Sequence, residues 1–274
     1  MSGASDQLAV VLVRTRNPLN IGAVARAMQN FGVRDLRVVQ AYEASFREAR
    51  SAVGAGRVLA DAPEFATLGE AVADCRLVLG TTAARRRELQ QRVIELEDAA
   101  QEVQGALAAG RVALLFGSEK HGLTREDLDY CHALLRIRTD EEQPSMNLGQ
   151  AAAVCLWELT RSRCGRGLVD AGGERGESSS GAGEARLRNG EPGLCDKDPK
   201  AVSGDLDRLG ALLFELLEAG GYTHPETAAS TDAEVRRLLR RLHVTEGDTH
   251  LLMGMVRKLL WLLRRGDEAG GGSG

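Results

Sequence analysis

Short runs of Val, Leu and Ile recur through the first 160 or so residues, separated by stretches whose apolar positions fall at helical spacing. That alternation is the signature of an α/β fold with a mostly parallel sheet. The runs predict strands over 8–14, 36–40, 76–81, 111–117 and 134–138. Each run is continuous rather than alternating, so each strand is expected to be covered on both faces. Polar and glycine-rich text comes after several of them: Thr15-Arg16-Asn17-Pro18, Gly80-Thr81-Thr82 and Gly117-Ser118-Glu119. In open α/β sheets ligands gather at those carboxyl ends.

The helical stretches carry their own punctuation. Asn20 is placed to cap a helix over 21–31 that Gly32 ends, and Thr124 with Asp127 forms a capping-box-like start for 125–131. A third helix is expected over 147–163, with Ala151, Val154, Cys155 and Leu159 facing inward. From about 165 the text turns rich in Gly, Ser and Glu, which reads as a flexible linker. A coil of that length spans roughly 30–36 Å, so the C-terminal part of the chain could sit well away from the first domain. Three more helical patterns occupy 205–219, 231–242 and 247–265. They are too few and too apolar on one face to stand alone, and are expected to pack on the first domain or on a partner. The expected division is therefore 1–164, a linker over 165–203, a helical extension over 204–265, and a disordered tail over 266–274.

Composition narrows the class. Of 274 residues 43% are hydrophobic and 27% charged, enough for a core and for solubility, while 4% aromatic and 32 Gly fit a segment outside any core. A net charge of -4 argues against a polybasic protein that coats nucleic acid indiscriminately, though it leaves local basic patches open. The five cysteines are odd in number and show no C-x-x-C, and Cys131-His132 lacks the partner pair of a zinc site, so no metal is expected. With no basic leader and no apolar run near the ~18 residues of a membrane span, a cytoplasmic, unanchored protein is expected.

The candidate chemistry lies in three short stretches that parallel strands would bring together. Asn20-Ile21-Gly22-Ala23-Val24-Ala25-Arg26 opens the first helix, where Asn20 and Arg26 are either plain cap and solvated residue or ligand contacts. Leu115-Phe116-Gly117-Ser118-Glu119-Lys120-His121-Gly122-Leu123 is a strand breaking into a glycine-bounded loop, either an ordinary βα turn or a ligand grip with exposed amides. Pro144-Ser145-Met146-Asn147-Leu148-Gly149-Gln150-Ala151 enters a long helix whose first turn presents free amides.

Taken in this order, Asn-x5-Arg, Gly-x-Glu-x2-Gly-Leu and Ser-x-Asn-Leu resemble the motifs of the SpoU-type RNA 2′-O-ribose methyltransferases of the SPOUT, or trefoil-knot, superfamily. The text from Gly80 to Arg87 and the C-terminal helices are most similar to the branch acting on cytidine or uridine of tRNA. The resemblance covers the chain apart from the linker. It implies an α/β domain with a C-terminal trefoil knot, S-adenosylmethionine as cofactor, a homodimer, and RNA as substrate, with tRNA preferred at the first anticodon-loop nucleotide and neither DNA nor membrane as partner. The implied cofactor residues are Thr81, Thr82, Ala83, Gly117, Ile137, Pro144, Ser145, Met146 and Leu148. Arg26 is implied as the catalytic arginine, with Asn20, Glu119, Ser145 and Asn147 completing the catalytic set. One departure stands out: where the family often has Ile-Pro, this chain has Ile137-Arg138-Thr139 before the acidic Asp140-Glu141-Glu142. Ribosomal RNA methylation, or a catalytically silent knotted RNA-binding protein, are the alternative readings.

Arginines cluster locally despite the net charge. Arg236, Arg237, Arg240 and Arg241 are expected on one helix face opposite Leu238, Leu239 and Leu242, as a solvated face or a phosphate contact. The apolar face of Leu251, Leu252, Met255, Leu259 and Leu262 reads as a packing surface, within the subunit or between subunits.

Overall fold

The computed structural model describes residues 7–42, 46, 56–83, 90–164 and 198–270. A seven-stranded sheet, parallel at every pairing, forms the centre, in the order β3-β2-β1-β6-β4-β7-β5. Its strands are β1 (Leu8–Val13), β2 (Asp35–Val39), β3 (Glu64–Phe65), β4 (Cys75–Thr81), β5 (Val93–Glu95), β6 (Arg111–Phe116) and β7 (Ala133–Arg136). The helices are α1 (Pro18–Asn30), α2 (Gly56–Ala60), α3 (Leu68–Val72), α4 (Leu96–Ala109), α5 (Arg125–Leu128) and α6 (Leu148–Cys164), with α7 (Ser203–Ala219), α8 (Ala228–Leu242) and α9 (Glu246–Gly270) in the C-terminal part. All five expected strands form. The sheet gains β3 and β5 at its edges, too short to show as apolar runs.

The continuous apolar runs do what two-sided burial demands. Leu8, Val10 and Leu12 of β1 join one core with Val24 and Met28 of α1, Val103 of α4 and Leu156 of α6. Val11 and Val13 point into the opposite core, with Leu68, Ala71 and Val72 of α3 and Leu115 of β6. Within α6, Ala152, Cys155, Leu156 and Leu159 are buried, whereas Val154, expected inward, is 37% exposed. The inward stripe is therefore turned by one position from the expected one.

The helical extension packs on the sheet domain. The Gly204 amide donates to the Ala73 carbonyl at 2.9 Å, and Arg76 donates to the Lys200 carbonyl and pairs with Glu246 at 3.2 Å. Leu209, Leu239 and Met253 make the small core that joins α7, α8 and α9. The α8 arginines are not a solvated face, and three of them are occupied in this packing. Arg240 is 1% exposed, pairs with Asp207 at 2.8 Å and donates to the Tyr130 carbonyl at 3.0 Å. Arg237 pairs with Asp129 at 2.8 Å, and Arg236 with Asp207 at 3.1 Å. The guanidinium carbons of Arg236 and Arg240 stand 4.7 and 5.2 Å from the Tyr130 ring centroid. Arg241 alone of the four remains exposed. Most of the expected linker, 165–197, and the arginines Arg85, Arg86 and Arg87 lie outside the described residues. α9 continues to Gly270, past its expected end.

Candidate active site

The three motifs meet at the carboxyl edge of the sheet. β1 and β6 are adjacent, so the loop leading into α1 lies beside the loop after β6. The cap of α1 is not Asn20, as its position suggests, but Asn17, whose Oδ1 accepts the Leu19 amide at 2.9 Å, with Pro18 in the first turn. Pro at that position has no amide to satisfy and a φ already suited to the helix. The change matters because it releases the side chain of Asn20 from capping.

Asn20 instead joins the other two motifs. Its Nδ2 donates to Glu119 Oε1 at 3.2 Å, and its Oδ1 accepts from Asn147 Nδ2 at 2.9 Å. Asn147 Oδ1 in turn accepts the Gly149 amide at 2.9 Å, in the first turn of α6. Chemistry fixes the direction of this chain. An ionised carboxylate only accepts, so Asn20 must offer its NH₂ to Glu119 and its oxygen to Asn147, and Asn147 must then turn its oxygen to the amide. Glu119 also accepts the Asn17 amide at 3.0 Å and the Arg16 amide at 3.2 Å. Burial works to raise its pKa, but the backbone amides and Asn20 outweigh it and hold the carboxyl below the usual range.

The backbone around Glu119 is closed on itself. Ser118 and Gly122 exchange backbone hydrogen bonds at 3.2 and 2.8 Å, with Gly122 at φ 67°. A Cβ at Gly117 would lie 2.0 Å from the Gly122 carbonyl carbon and 2.2 Å from the Leu123 nitrogen, so only glycine fits there. A second pin, which the motifs do not reveal, joins the same two loops: Arg14, at φ 53°, pairs with Asp127, the residue that closes the capping box with Thr124. The Asn-Pro pair and the Thr124–Asp127 box are the signals available in the sequence, but neither identifies Arg14 as the partner.

The candidate cofactor residues issue from β6, β4 and β7, which are neighbours in the sheet. Gly117 comes directly after β6, Thr81 ends β4, and Ile137 comes directly after β7. Thr81 Oγ1 donates to the Leu115 carbonyl at 2.8 Å, and the Thr82 amide to the Leu135 carbonyl at 3.0 Å. Ile137 and Leu148 are half-buried against the core and Met146 is half-buried, while Ala83, Pro144 and Ser145 are exposed. Thr139 Oγ1 donates to the Pro144 carbonyl at 3.1 Å, tying together the segment between β7 and α6. Half-exposed apolar side chains beside loop hydroxyls and a helix N-terminus form a donor set that suits a purine nucleoside carrying a charged tail.

Arg26 stands apart from the hydrogen-bonded trio. It is exposed on α1, six residues beyond Asn20, which is about 9 Å along the helix and roughly 120° around it. Ser145 is exposed as well and makes no hydrogen bond among the described residues. The structure thus brings Asn20, Glu119 and Asn147 into direct contact and leaves Arg26 and Ser145 free to meet something else.

A parallel α/β sheet with converging carboxyl-edge loops defines an enzyme-like class, and comparison with known proteins narrows it. The profile of the SpoU rRNA Methylase family matches residues 7–157. The tRNA (cytidine/uridine-2′-O-)-methyltransferase TrmJ of Escherichia coli K12 is 30% identical over 255 residues, covering 93% of this chain and 95% of the relative. The crystal structure of TrmJ from Z. mobilis ZM4 aligns with a TM-score of 0.69 at 29% identity, over 92% of this chain and 98% of that one. A probable methylase family protein from Haemophilus influenzae aligns with a TM-score of 0.53 at 25% identity, over 97% and 99%. The chain belongs to the SpoU methylase family, and its fold is that of the SPOUT α/β proteins.

Proposed function

We propose that the protein is an S-adenosylmethionine-dependent 2′-O-ribose methyltransferase of tRNA, acting on cytidine or uridine at the first nucleotide of the anticodon loop. The observation that carries this reading is the chain Glu119–Asn20–Asn147–Gly149, which joins all three motifs at the carboxyl edge. The similarity to TrmJ over 93% of the chain, extension included, favours tRNA. The family's description favours ribosomal RNA as the second reading.

When bound, S-adenosylmethionine supplies an activated methyl group, and the chain's work is alignment and charge. Ile137, Met146 and Leu148 would hold its adenine, with Thr81, Thr82, Ala83, Gly117, Pro144 and Ser145 completing the enclosure, within the knot that the family resemblance implies. Glu119 is a positioning residue in this account: its carboxylate is held ionised by three donors, so it is poorly suited to accept the ribose proton. It orients Asn20, and Asn20 with Asn147 presents amide groups to the ribose. Arg26 makes no ion pair among the described residues, and its planar five-donor guanidinium suits it to anchor a phosphate and stabilise negative charge developing on the 2′-oxygen.

The protein acts as a cytoplasmic homodimer on this reading, with residues 1–164 catalytic and 204–265 a helical extension, joined by the 165–203 segment. Leu19 at 80%, Val154 at 37% and Trp157 at 52% exposure leave an apolar surface on α1 and α6 that a second copy would cover. The test is transfer of labelled methyl from S-adenosylmethionine to unmodified tRNA and ribosomal RNA in parallel, with nuclease digestion to locate the label. Label on tRNA ribose supports the reading; label on ribosomal RNA alone moves the protein to the second one.

A further inference from the structure

A cleft of about 1040 Å³ lies away from the three motifs. It is lined by residues of the sheet domain and of α7 and α8, and the lining includes Arg92, just before β5, and His132, just before β7. These are the amino ends of the strands, whereas the motifs lie at the carboxyl ends. Four-residue β7 separates the two edges by about 13 Å.

Two kinds of side chain line the cleft. Leu217 of α7, Val235 and Leu238 of α8, and Tyr222 from the connection between these helices are apolar or aromatic. Arg92, Lys200 and, on α8 beside those apolar positions, Arg237, Arg240 and Arg241 are cationic, with the carboxylates of Glu102 and Glu234 also in the lining. Arg92, Arg237 and Arg240 are already paired, with Glu102, Asp129 and Asp207. Lys200 and Arg241 are exposed and have no ion-pair partner among the described residues. His243 also lines the cleft, in a left-handed conformation, φ 50° and ψ 43°, which is uncommon for a residue with a side chain. Burial first, then the positive charges of Lys200 and Arg92, lowers its pKa, a sign that the site is electropositive.

His132 adds a fixed donor. Its Nδ1 accepts the Val78 amide at 3.1 Å, so the proton of the neutral ring resides on Nε2. Burial, then the charges of Arg240, His243 and Lys200, depress its pKa to about 3, which keeps the ring in that state at neutral pH.

We propose that this cleft is a second ligand site, separate from the methyl-transfer site, and that it takes a phosphorylated nucleoside: phosphate on Lys200 and Arg241, base against Tyr222 and Leu238. A cleft of this size lined by apolar and aromatic side chains with charged groups among them has the form of a small-molecule site. Unpaired cations select the anion, and an aromatic face accepts any base. The ligand is either a free mononucleotide or one nucleotide of an RNA strand, and the site does not depend on the methyl-transfer reading.

The test uses the full chain and calorimetric titration with uridine 5′-monophosphate, uridine and inorganic phosphate. The site predicts saturable binding of the monophosphate, tighter than either fragment, and weakened about tenfold or more in the Lys200→Gln/Arg241→Gln variant. Both substituted residues are exposed and lie outside the methyl-transfer site, so folding and that site stay intact as controls. If the same variant also binds RNA more weakly, the natural source is a strand; if RNA binding is unchanged while monophosphate binding falls, the source is a free nucleotide. No monophosphate binding, binding that survives the double substitution, or phosphate binding as tight as the nucleotide overturns the proposal.

Discussion

Gly117→Ala probes the packing of the motif loop with a single methyl group. The added Cβ would stand 2.0 Å from the Gly122 carbonyl carbon and 2.2 Å from its oxygen. Carbon atoms rest at about 3.5–4.0 Å, so the Gly122–Leu123 backbone must retreat by roughly 1.5 Å, and no side-chain rotation can relieve it. A retreat of that size breaks the Ser118–Gly122 pair, two hydrogen bonds at 3.2 and 2.8 Å. Those bonds contribute about 1–2 kcal/mol together and the overpacking costs a further 1–3 kcal/mol, for an expected loss of about 3 kcal/mol. Glu119 lies inside that turn, so its hold on the Arg16 and Asn17 amides and on Asn20 should fail with it. Urea denaturation and methyl transfer at fixed cofactor are the assays, with two glycine controls. Gly122→Ala meets open space but keeps φ 67°, and should cost about 1 kcal/mol. Gly105→Ala, inside α4 with nothing within 4 Å, should stabilise by about 0.5–1 kcal/mol. Wild-type stability and turnover in Gly117→Ala would mean that the Gly122–Leu123 backbone yields without loss of the turn.

Further predictions concern the frame around the site. Arg240→Met removes a buried cation from Asp207, the Tyr130 carbonyl and the Tyr130 ring and should lower stability by about 3 kcal/mol, whereas exposed Arg241→Met should change it by less than about 0.5 kcal/mol in the same urea titration. His132 has a folded pKa of about 3 against 6.5 for the free group, so below pH 6.5 the unfolded chain binds more protons; stability should be full above that pH and fall progressively as pH drops toward 3, with His243 adding in the same direction. His132→Asn should flatten the fall between about pH 6 and pH 4 in pH-dependent denaturation, and an unchanged slope would remove His132 as its source. Burial pushes the Cys131 and Cys155 thiols up to about 12 and raises that of Cys75 further, so all three should resist iodoacetamide at pH 8 in the folded protein and react in urea. Labelling of the native chain at these positions would contradict their burial.

The parts of the fold that sequence makes legible are those set by burial over several residues. β1, β4, β6 and β7 show as apolar runs and β2 as a shorter one that Arg37 interrupts, and Thr124–Asp127 announces the start of α5 through its own hydrogen bonds. β3 and β5, at two and three residues, leave no period to detect. The α8 arginines show the limit of helical periodicity. Spacing places Arg236, Arg237, Arg240 and Arg241 near one another, but it carries no information about Asp129, Asp207 and Tyr130, which reach them from elsewhere in the chain. At the site, Asn20, Glu119 and Asn147 are legible only as a combination of motifs, since each alone also reads as a cap or a turn. Their hydrogen-bonded order, and the transfer of capping to Asn17, come from three-dimensional register.

On the proposed function this site transfers methyl groups to ribose, and Arg26 serves the transfer rather than the cofactor. The direct measurement pairs labelled-methyl transfer to unmodified tRNA with calorimetric S-adenosylmethionine binding, for the wild-type chain and for Arg26→Ala. Wild type is expected to place label on the ribose 2′-oxygen, and Arg26→Ala to keep undiminished cofactor binding with transfer lost. Transfer by Arg26→Ala at the wild-type rate, or no ribose label from a wild-type chain that binds the cofactor, would contradict the proposed function.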